Sequence, residues 1–318
     1  MSRFISGCAL SLAALAALFL WSPEAMEGVR TGLGICAQVI IPSLFPFFVL
    51  GAAIMELGLP QRLSKLLSPV MSRLFGVSGA GACALLLGVM GGYPLGASCA
   101  AALAGRGAIS RDEAERLLGF CNNSGPAFLI GAAGVGTFSS VRAGLVLYTC
   151  HVLAALTAGL LTRRAGSAIS AAEAFSVDIT QGVFARAVTA SVKNILNVCG
   201  FVVIFTALTA ALDASGFLPR AAGGVAARTG LELSAARAVL TGFFEIGGGI
   251  NALRACSASR INFALCALII GWGGLSVHMQ TAAAVSGAKL KTARHFLGRL
   301  FSAGFSALYA FAAWGVAF

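Results

Sequence analysis

The sequence LLGFCNNSGPAFLI, residues 117–130, places a polar break inside an apolar run. Two amides, a hydroxyl, a glycine and a proline, Asn122 to Pro126, stand between two groups of apolar side chains. A backbone that leaves its helix inside hydrocarbon frees N–H and C=O groups, which are tolerated only where they face protein or a water-filled cavity. We therefore expect Asn122 to Pro126 to line a cavity, which makes this stretch a candidate ligand site.

Composition assigns the chain to the integral membrane proteins. Of its 318 residues, 58% are hydrophobic and only 10% are charged, and the mean hydropathy is +0.91. Soluble domains carry about 25% charged residues, so no division of this chain into soluble domains fits. We expect one multi-pass unit in the cell membrane, with the lipid bilayer as its surroundings.

The formal net charge of +11 does not indicate nucleic-acid binding. Most lysines and arginines stand in short connections between apolar segments, where the positive-inside bias places them. The nine cysteines lie mostly within apolar stretches and contain no C-x-x-C pair. They are expected to be small buried side chains rather than metal ligands or disulfides.

The first half of the chain is predicted to contain a hairpin that does not cross the membrane. Residues 80–104 are apolar but are broken by GGYPLG at 91–96. Each arm has only about 10 residues, too few to span about 30 Å of hydrocarbon at about 1.5 Å per residue. Because neither arm is long enough to cross, we predict a re-entrant hairpin. The remaining segments of this half are predicted as a crossing, an interfacial amphipathic helix, a discontinuous crossing and a crossing: 32–57, 60–75, 117–138 and 141–162.

The same order returns in the second half. Residues 235–256 are broken by EIGGG from Glu245, and residues 262–285 are broken by GWGGLS from Gly271. Three crossings in each half would turn the second half upside down relative to the first, which is an inverted-topology repeat. The predicted divisions are an N-terminal transmembrane helix at 1–22, a first repeat at 31–164, a polar connection with an amphipathic helix at 165–194, and a second repeat at 195–318.

Charge supports the same topology. The first apolar run, residues 4–21, is predicted to be an uncleaved span, which gives seven crossings in total. With these crossings, 15 of the 22 lysines and arginines fall on the side of the N-terminus. The positive-inside rule then predicts a cytoplasmic N-terminus and an outside C-terminus.

Four motifs carry a resemblance to a known family: GGYPLGA from Gly91, GFCNNSGPAFLIGAAGVGTF from Gly119, FFEIGGGI from Phe243 and IGWGGLSVHMQ from Ile270. They resemble the YlbJ-like sporulation integral membrane proteins of the nucleoside-recognition, or Gate-domain, group. That group is similar to parts of concentrative nucleoside transporters and ferrous-iron transporters. The resemblance implies a sporulation-linked membrane protein with a transporter-like core, but no residue pattern fixes a nucleoside over another small solute.

In the related transporters, paired hairpins and discontinuous helices meet near mid-membrane and hold the substrate and a coupling cation. By position, the resemblance implies that this role falls on the four breaks of the present chain. The candidate substrate-binding or ion-binding residues are Gly92, Tyr93, Pro94, Asn122, Asn123, Ser124, Gly125, Glu245, Gly248, Asn251, Gly273, Gly274, Ser276, His278 and Gln280.

The polar breaks suit hydrogen bonding or cation binding. Asn122, Asn123 and Ser124 offer hard oxygen ligands that would hold Na⁺ or bind a polar solute; the alternative is a cap that only satisfies the helix break. Glu245 is an acid predicted within the membrane, where a carboxylate must be protonated, paired or bound to a cation. It suits a proton or sodium relay, and the alternative is a carboxyl that is hydrogen-bonded for packing.

Two further side chains have two interpretations each. His278 either titrates near neutral pH or donates a hydrogen bond to a neighbouring carbonyl. Tyr93 either stacks on a ring of the solute or fills the gap at the hairpin tip.

The sequence favours a transporter over an enzyme. It contains no H-E-x-x-H, P-loop or dinucleotide motif, and GLSVH from Gly274 lacks the second glycine of a G-x-S-x-G nucleophile turn. We expect a secondary transporter or permease of a small polar solute, coupled to Na⁺ or H⁺, with no other cofactor and no structural metal. A homo-oligomer is compatible with this expectation. The alternative is a non-transporting scaffold or assembly factor in spore envelope formation.

Overall fold

The computed structural model describes residues 2–163 and 182–318, and every regular element in these two ranges is helical. Four helical segments are long and apolar enough to cross a membrane: Ser22–Glu56, Val141–Leu161, Val183–Ala214 and Arg260–Ala288. The predicted all-α membrane class is therefore confirmed. The number of crossings, seven, stays a prediction.

The helices follow one another in the predicted order. The first half contains α1 (Ser2–Leu20), α2 (Ser22–Ile35), α3 (Ile41–Glu56), α4 (Leu59–Phe75), α5 (Gly81–Gly91), α6 (Leu95–Gly105), α7 (Arg111–Leu118), α8 (Gly136–Phe138) and α9 (Val141–Leu161). The second half contains α10 (Val183–Ala214), α11 (Phe217–Thr229), α12 (Leu233–Phe244), α13 (Ile246–Leu253), α14 (Arg260–Trp272), α15 (Gly274–Val285), α16 (Ala293–Ala312) and α17 (Trp314–Ala317). Two π-helical segments, Cys36–Ile40 and Phe128–Val135, interrupt the α-helical pattern.

Two predicted division boundaries fall inside continuous helical stretches. Residues 22–56 are helical throughout, so the boundary at 31 lies within α2, and the boundary at 195 lies within α10. Residues 165–181 of the predicted connection lie outside the described residues. The division into two repeats stays a prediction.

A π segment precedes the prolines of α3. Cys36–Ile40 widens the helix just before Pro42, and Ser43 Oγ donates a hydrogen bond to the Val39 carbonyl at 2.6 Å. Proline has no N–H to complete a helical turn, so a wider turn and a side-chain donor take up part of the mismatch. The two prolines therefore leave this helical stretch continuous instead of splitting it.

Glycines let α10 pack closely along α2. A Cβ added to Gly28 would lie 2.8 Å from Ala207 Cα, and one added to Gly32 would lie 2.9 Å from Val203 Cα. Small residues at such positions allow helix backbones to approach within a membrane, where lipid gives no hydrophobic drive for association. This contact joins the long helix of the second half to that of the first.

Helices α5 and α6 form one helical hairpin and α12 and α13 form another. Arg106, just after α6, donates to the Met55 carbonyl at 3.0 Å, beside the buried cluster that also contains Ala82 at the start of α5. Ser257, after α13, lies 3.3 Å from the carboxylate of Glu232, which precedes α12. In each pair, the second helix therefore ends near the start of the first. That both pairs enter and leave a single membrane face stays a prediction.

Each hairpin tip packs against the broken segment of its own half. In the first half, a Cβ on Gly125 would lie 3.2 Å from the Gly92 nitrogen. In the second half, a Cβ on Gly274 would lie 3.1 Å from the Ile246 nitrogen. Bare glycine backbones thus allow tip and break to touch, and this contact positions the site.

We predict that the contact between α16 and the C-terminal end of α7 does not tolerate an added methyl group. A Cβ on Gly298 would overlap the Gly119 carbonyl, so Gly298→Ala should destabilise the fold by about 1–3 kcal/mol through overpacking. Gly304 lies on the same helix with no atom within 4 Å of an added Cβ, so Gly304→Ala is the matched control. Thermal unfolding in detergent should show a lower Tm only for Gly298→Ala. Equal Tm values for the two variants would contradict the packing.

Candidate functional site

The four breaks meet around an inner cavity of about 60 Å³. Both hairpin tips and the first break contribute polar or backbone groups to its wall, and α15, which follows the second break, contributes Val277 and Gln280. The lining includes Tyr93 from the first hairpin tip, Ser124 and Gly125 from the first break, Glu245 and Gly247 from the second tip, and Gln280 from the helix after the second break. The fold therefore brings together segments that are far apart in the chain, since Tyr93 and Gln280, 187 positions apart, share one wall.

Apolar side chains complete the wall, and both π segments border it. Ile40 ends the first π segment and Phe128 begins the second, and both line the inner cavity. π-helical turns occur frequently at functional sites because they shift helix register locally. Nothing in the sequence pattern had indicated these two segments.

Asn122 faces protein rather than the cavity. Its Nδ2 donates to Thr281 Oγ1 at 2.8 Å, and its Oδ1 accepts from the Ala97 N–H at 3.4 Å. These bonds attach the first break to α15 and to α6. Asn122 is fully buried, and its side chain bonds to these two helices and not to the freed backbone of the break.

Asn123 is also fully buried and is bonded on both sides of its amide. Its Nδ2 donates to the Phe120 carbonyl at 2.8 Å, and its Oδ1 accepts from Arg299 Nη2 at 3.3 Å. An oxygen that already accepts from a guanidinium is a poor ligand for a second cation, because the two like charges repel. The predicted Na⁺ position near Asn122, Asn123 and Ser124 stays a prediction, and this geometry lends it no support at Asn123.

The break presents Ser124 and Gly125 to the cavity. The Ser124 N–H donates to His151 Nε2 at 3.1 Å, which satisfies one of the freed backbone groups. The same bond fixes His151 as an acceptor at Nε2.

Glu245 lies between α12 and α13 with an extended backbone, φ −144° and ψ 122°. Its two carboxylate oxygens accept from the backbone amides of Gly247 at 3.0 Å and Gly248 at 2.6 Å. The side chain therefore caps α13, where the positive end of the helix dipole favours an anion. Each oxygen keeps capacity for a further hydrogen bond or cation, so capping and ligand binding are compatible.

Glu245 lines a second, outer cavity of about 820 Å³. Charged and hydroxyl side chains dominate the polar part of this cavity: Glu24, Glu27, Thr31, Thr206, Thr209, Asp213, Ser234, Arg237 and Thr241. Asp213 and Arg237 form an ion pair within it. Sequence reasoning did not single out these residues, because they lie on three separate helices, α2, α10 and α12.

Arg299 is the central residue that sequence reasoning missed. It had been counted among the basic residues of the connections, but it lies in the second turn of α16 and is 0% exposed. Its guanidinium donates to Tyr93 Oη at 2.9 Å, Asn123 Oδ1 at 3.3 Å and Ser302 Oγ at 3.0 Å. The missed signal was an arginine within an apolar run, a residue type that marks functional positions in membrane helices.

Tyr93 connects the Arg299 guanidinium of α16 to helix α14. Its hydroxyl donates to the Ile270 carbonyl at 3.3 Å, and its side chain also lines the inner cavity. The interpretation of Tyr93 as a side chain that fills the hairpin tip has support in these bonds. Stacking on a solute ring stays a prediction.

His278 faces away from the inner cavity. Its ring centroid lies 4.4 Å from that of Trp272 and 5.0 Å from that of His295. Within the described chain, its Nε2 has no hydrogen-bond partner, so both interpretations of this histidine remain. Ser276 is also buried, and accepts a hydrogen bond from Gln280.

The remaining predicted residues either shape the backbone near the inner cavity or lie away from that cavity. Gly92, Pro94, Gly273 and Gly274 shape the turns and the close contacts, and Gly273 and Gly274 have φ of +85° and +81°. Gly248 lines the outer cavity. Asn251 is exposed on α13, away from the inner cavity.

Comparison with known proteins identifies the family. Residues 37–165 match the Gate family, described as nucleoside recognition, a range that holds the first hairpin and first break. Over 327 aligned positions, the chain is 30% identical to the sporulation integral membrane protein YlbJ of Bacillus subtilis (strain 168), covering 94% of this chain and 80% of that protein. No solved structure matches the chain. The chain is an integral membrane protein that belongs to the family of the sporulation protein YlbJ.

Proposed function

We propose that this protein is a secondary transporter or permease for a small polar solute, with a role linked to sporulation through its relation to YlbJ. One observation carries the proposal: three helix breaks, and the helix that follows the fourth, converge from both halves of the chain on one cavity, with Glu245 in its wall. Helix breaks within a membrane are costly unless they line a site. A protein that only held others together would have little use for four breaks directed at one another.

The two cavities suggest a route. The outer cavity, at about 820 Å³, falls within the about 300–1,000 Å³ typical of small-molecule sites. The inner cavity, at about 60 Å³, has room for a few waters or an inorganic ion, since liquid water occupies about 30 Å³ per molecule. A larger solute would therefore stop at Glu245 until the hairpin tips separate.

The base of the first hairpin, at the ends of α5 and α6 remote from the tip, is tightly packed. A cluster of buried apolar residues there includes Met55, Ala82, Leu103, Ile109 and Leu117. We infer that this conformation admits solute from the outer cavity and blocks it on the far side. Alternating access would then require the first hairpin and the first break to move away from α15 and α16.

We further propose the inverted repeat, with both hairpins re-entrant and seven crossings. The support is the repeated local arrangement, in which each hairpin tip packs against the break of its own half through bare glycine backbone. In this topology the outer cavity lies on the side of the C-terminus, because it is lined by the start of α2 and the end of α10.

Coupling to H⁺ or Na⁺ would use Glu245. It is 2% exposed, and it is the acidic residue that lines both cavities. Two backbone amides at the N-terminus of α13 hold its carboxyl group in place, where a proton or cation arriving from the outer cavity would reach it. No enzymatic activity is part of the proposal.

We predict that Glu245→Gln reduces solute uptake by about tenfold or more, because one charged interaction of about 1.4 kcal/mol corresponds to that factor. The measurement is uptake into proteoliposomes of a panel of nucleosides, small carboxylates and inorganic cations. Asn251→Ala, on the same helix but exposed, is the control and should leave uptake unchanged. Equal uptake by the wild type and Glu245→Gln would remove Glu245 from the route. Absence of flux for every solute of the panel in the wild type would favour the scaffold alternative.

The topology gives a second prediction. Small tags at the two termini should be accessible from opposite sides of the membrane, the N-terminal tag from the cytoplasm and the C-terminal tag from outside. Protease digestion of intact and permeabilised spheroplasts measures this directly. Two tags cut from the same side would contradict an odd number of crossings.

A further inference from the structure

We propose that Arg299 acts as a latch that holds the first hairpin tip and the first break against α16, and that this contact closes the inner cavity on the side away from the outer cavity. The latch consists of the Arg299 guanidinium with Tyr93 Oη and Asn123 Oδ1. Its place in a transport cycle rests on the function proposed above, while its role in closing the cavity does not.

Arg299 joins elements that are otherwise separate in the chain. It lies on α16, whereas Tyr93 stands at the tip between α5 and α6, and Asn123 stands in the break before the second π segment. The Tyr93 hydroxyl continues the connection to the Ile270 carbonyl of α14. One guanidinium thus bonds the first hairpin tip and the first break to helices of the second half.

The acceptors of Arg299 are neutral. Among the described residues, no carboxylate hydrogen-bonds to its guanidinium, and its Nε–H has no partner. Hydrogen bonds to a charged donor are stronger than neutral ones, yet without an opposite charge the guanidinium is held less firmly than in an ion pair. Such a contact is strong enough to hold the first tip and the first break against α16, and weak enough for them to separate from it.

The ring of Tyr93 links the latch to the cavity. Its side chain forms part of the inner wall while its hydroxyl is held by Arg299. Displacement of the first tip from α16 would therefore remove a piece of that wall. The contact between Gly92 and Gly125 lies within the first half and would not resist a movement of both together.

Among the described residues, the second hairpin has no equivalent contact at its tip. Glu245 accepts hydrogen bonds from Gly247 and Gly248 of its own helix α13, and the nearby bond from Trp272 Nε1 to the Phe243 carbonyl stays within the second half. The latched hairpin lies on the packed side of the site, and the hairpin without this latch borders the outer cavity. This asymmetry matches the role of a gate closed on one side.

The test uses a reporter thiol in the cavity wall that needs no knowledge of the solute. Val277 lines the inner cavity, is 2% exposed and is small, so Val277→Cys introduces a reporter without removing a hydrogen bond. The full-length protein is reconstituted in proteoliposomes and treated with a membrane-impermeant thiol reagent on the side opposite the outer cavity. Mass spectrometry of peptides separates this thiol from the native cysteines.

Tyr93→Phe removes the hydroxyl of the latch and keeps the ring. We expect it to speed modification at position 277 by about tenfold, the factor expected from loss of one hydrogen bond to a charged group, with Arg299→Gln having at least as large an effect. Tyr309→Phe is the matched control, since Tyr309 lies on α16 with its hydroxyl 2.9 Å from that of Thr157, outside the latch. Arg299→Lys keeps the positive charge on a single donor nitrogen, so the rate of modification at position 277 should be intermediate.

The native thiol of Cys266, which is 0% exposed on α14, reports general loosening. An unchanged rate at position 277 in both Tyr93→Phe and Arg299→Gln would overturn the latch, whatever the flux results. An equal rise at Cys266 would also overturn it, because Arg299 would then only stabilise the fold. A rise confined to position 277 in a protein that carries no solute would support the latch and count against transport.

Discussion

A helix that breaks inside an apolar environment must find partners for its freed backbone groups, and most of this structure follows from how that requirement is met. Asn122 and Asn123 use their amides to hold the first break, and His151 takes the Ser124 N–H. Glu245 does the same for the second hairpin by capping α13. Once each break is satisfied by neighbours, the breaks and tips must lie together, and the cavity between them is the result.

The two buried ionisable residues at the centre are stabilised in opposite ways. Glu245 is a carboxyl group at the positive end of a helix, with amide donors on both oxygens. Arg299 is a cation surrounded by neutral oxygen acceptors. Neither forms an ion pair among the described residues. Burial of unpaired charge in this way is uncommon in a purely structural core.

Sequence patterns predicted the breaks well because glycine, proline and asparagine act on the local backbone. The tip at Gly92 to Pro94 and the non-helical stretch from Asn122 lie where the sequence predicted them. Side-chain direction was harder: Asn251 was expected at the site and is exposed, because the fold and not the local sequence decides which face of α13 is covered. Arg299 was missed because a basic residue near a helix end is usually assigned to the membrane surface, and its burial depends on contacts with Tyr93 and Asn123 that are far away in sequence. The π segments depend on packing in the same way.

The close approach of Cys121 to the first hairpin limits how this protein can move. Gly88 and Gly96 leave just enough space for the Cys121 carbonyl between α5 and α6, and a Cβ on either glycine would overlap that oxygen. The carbonyl is therefore wedged between the two helices, and the hairpin cannot bend independently of the chain that follows α7. Any displacement of α5 and α6 must carry the first break along as one rigid body, so the mechanical unit of this fold is the hairpin together with its neighbouring broken segment.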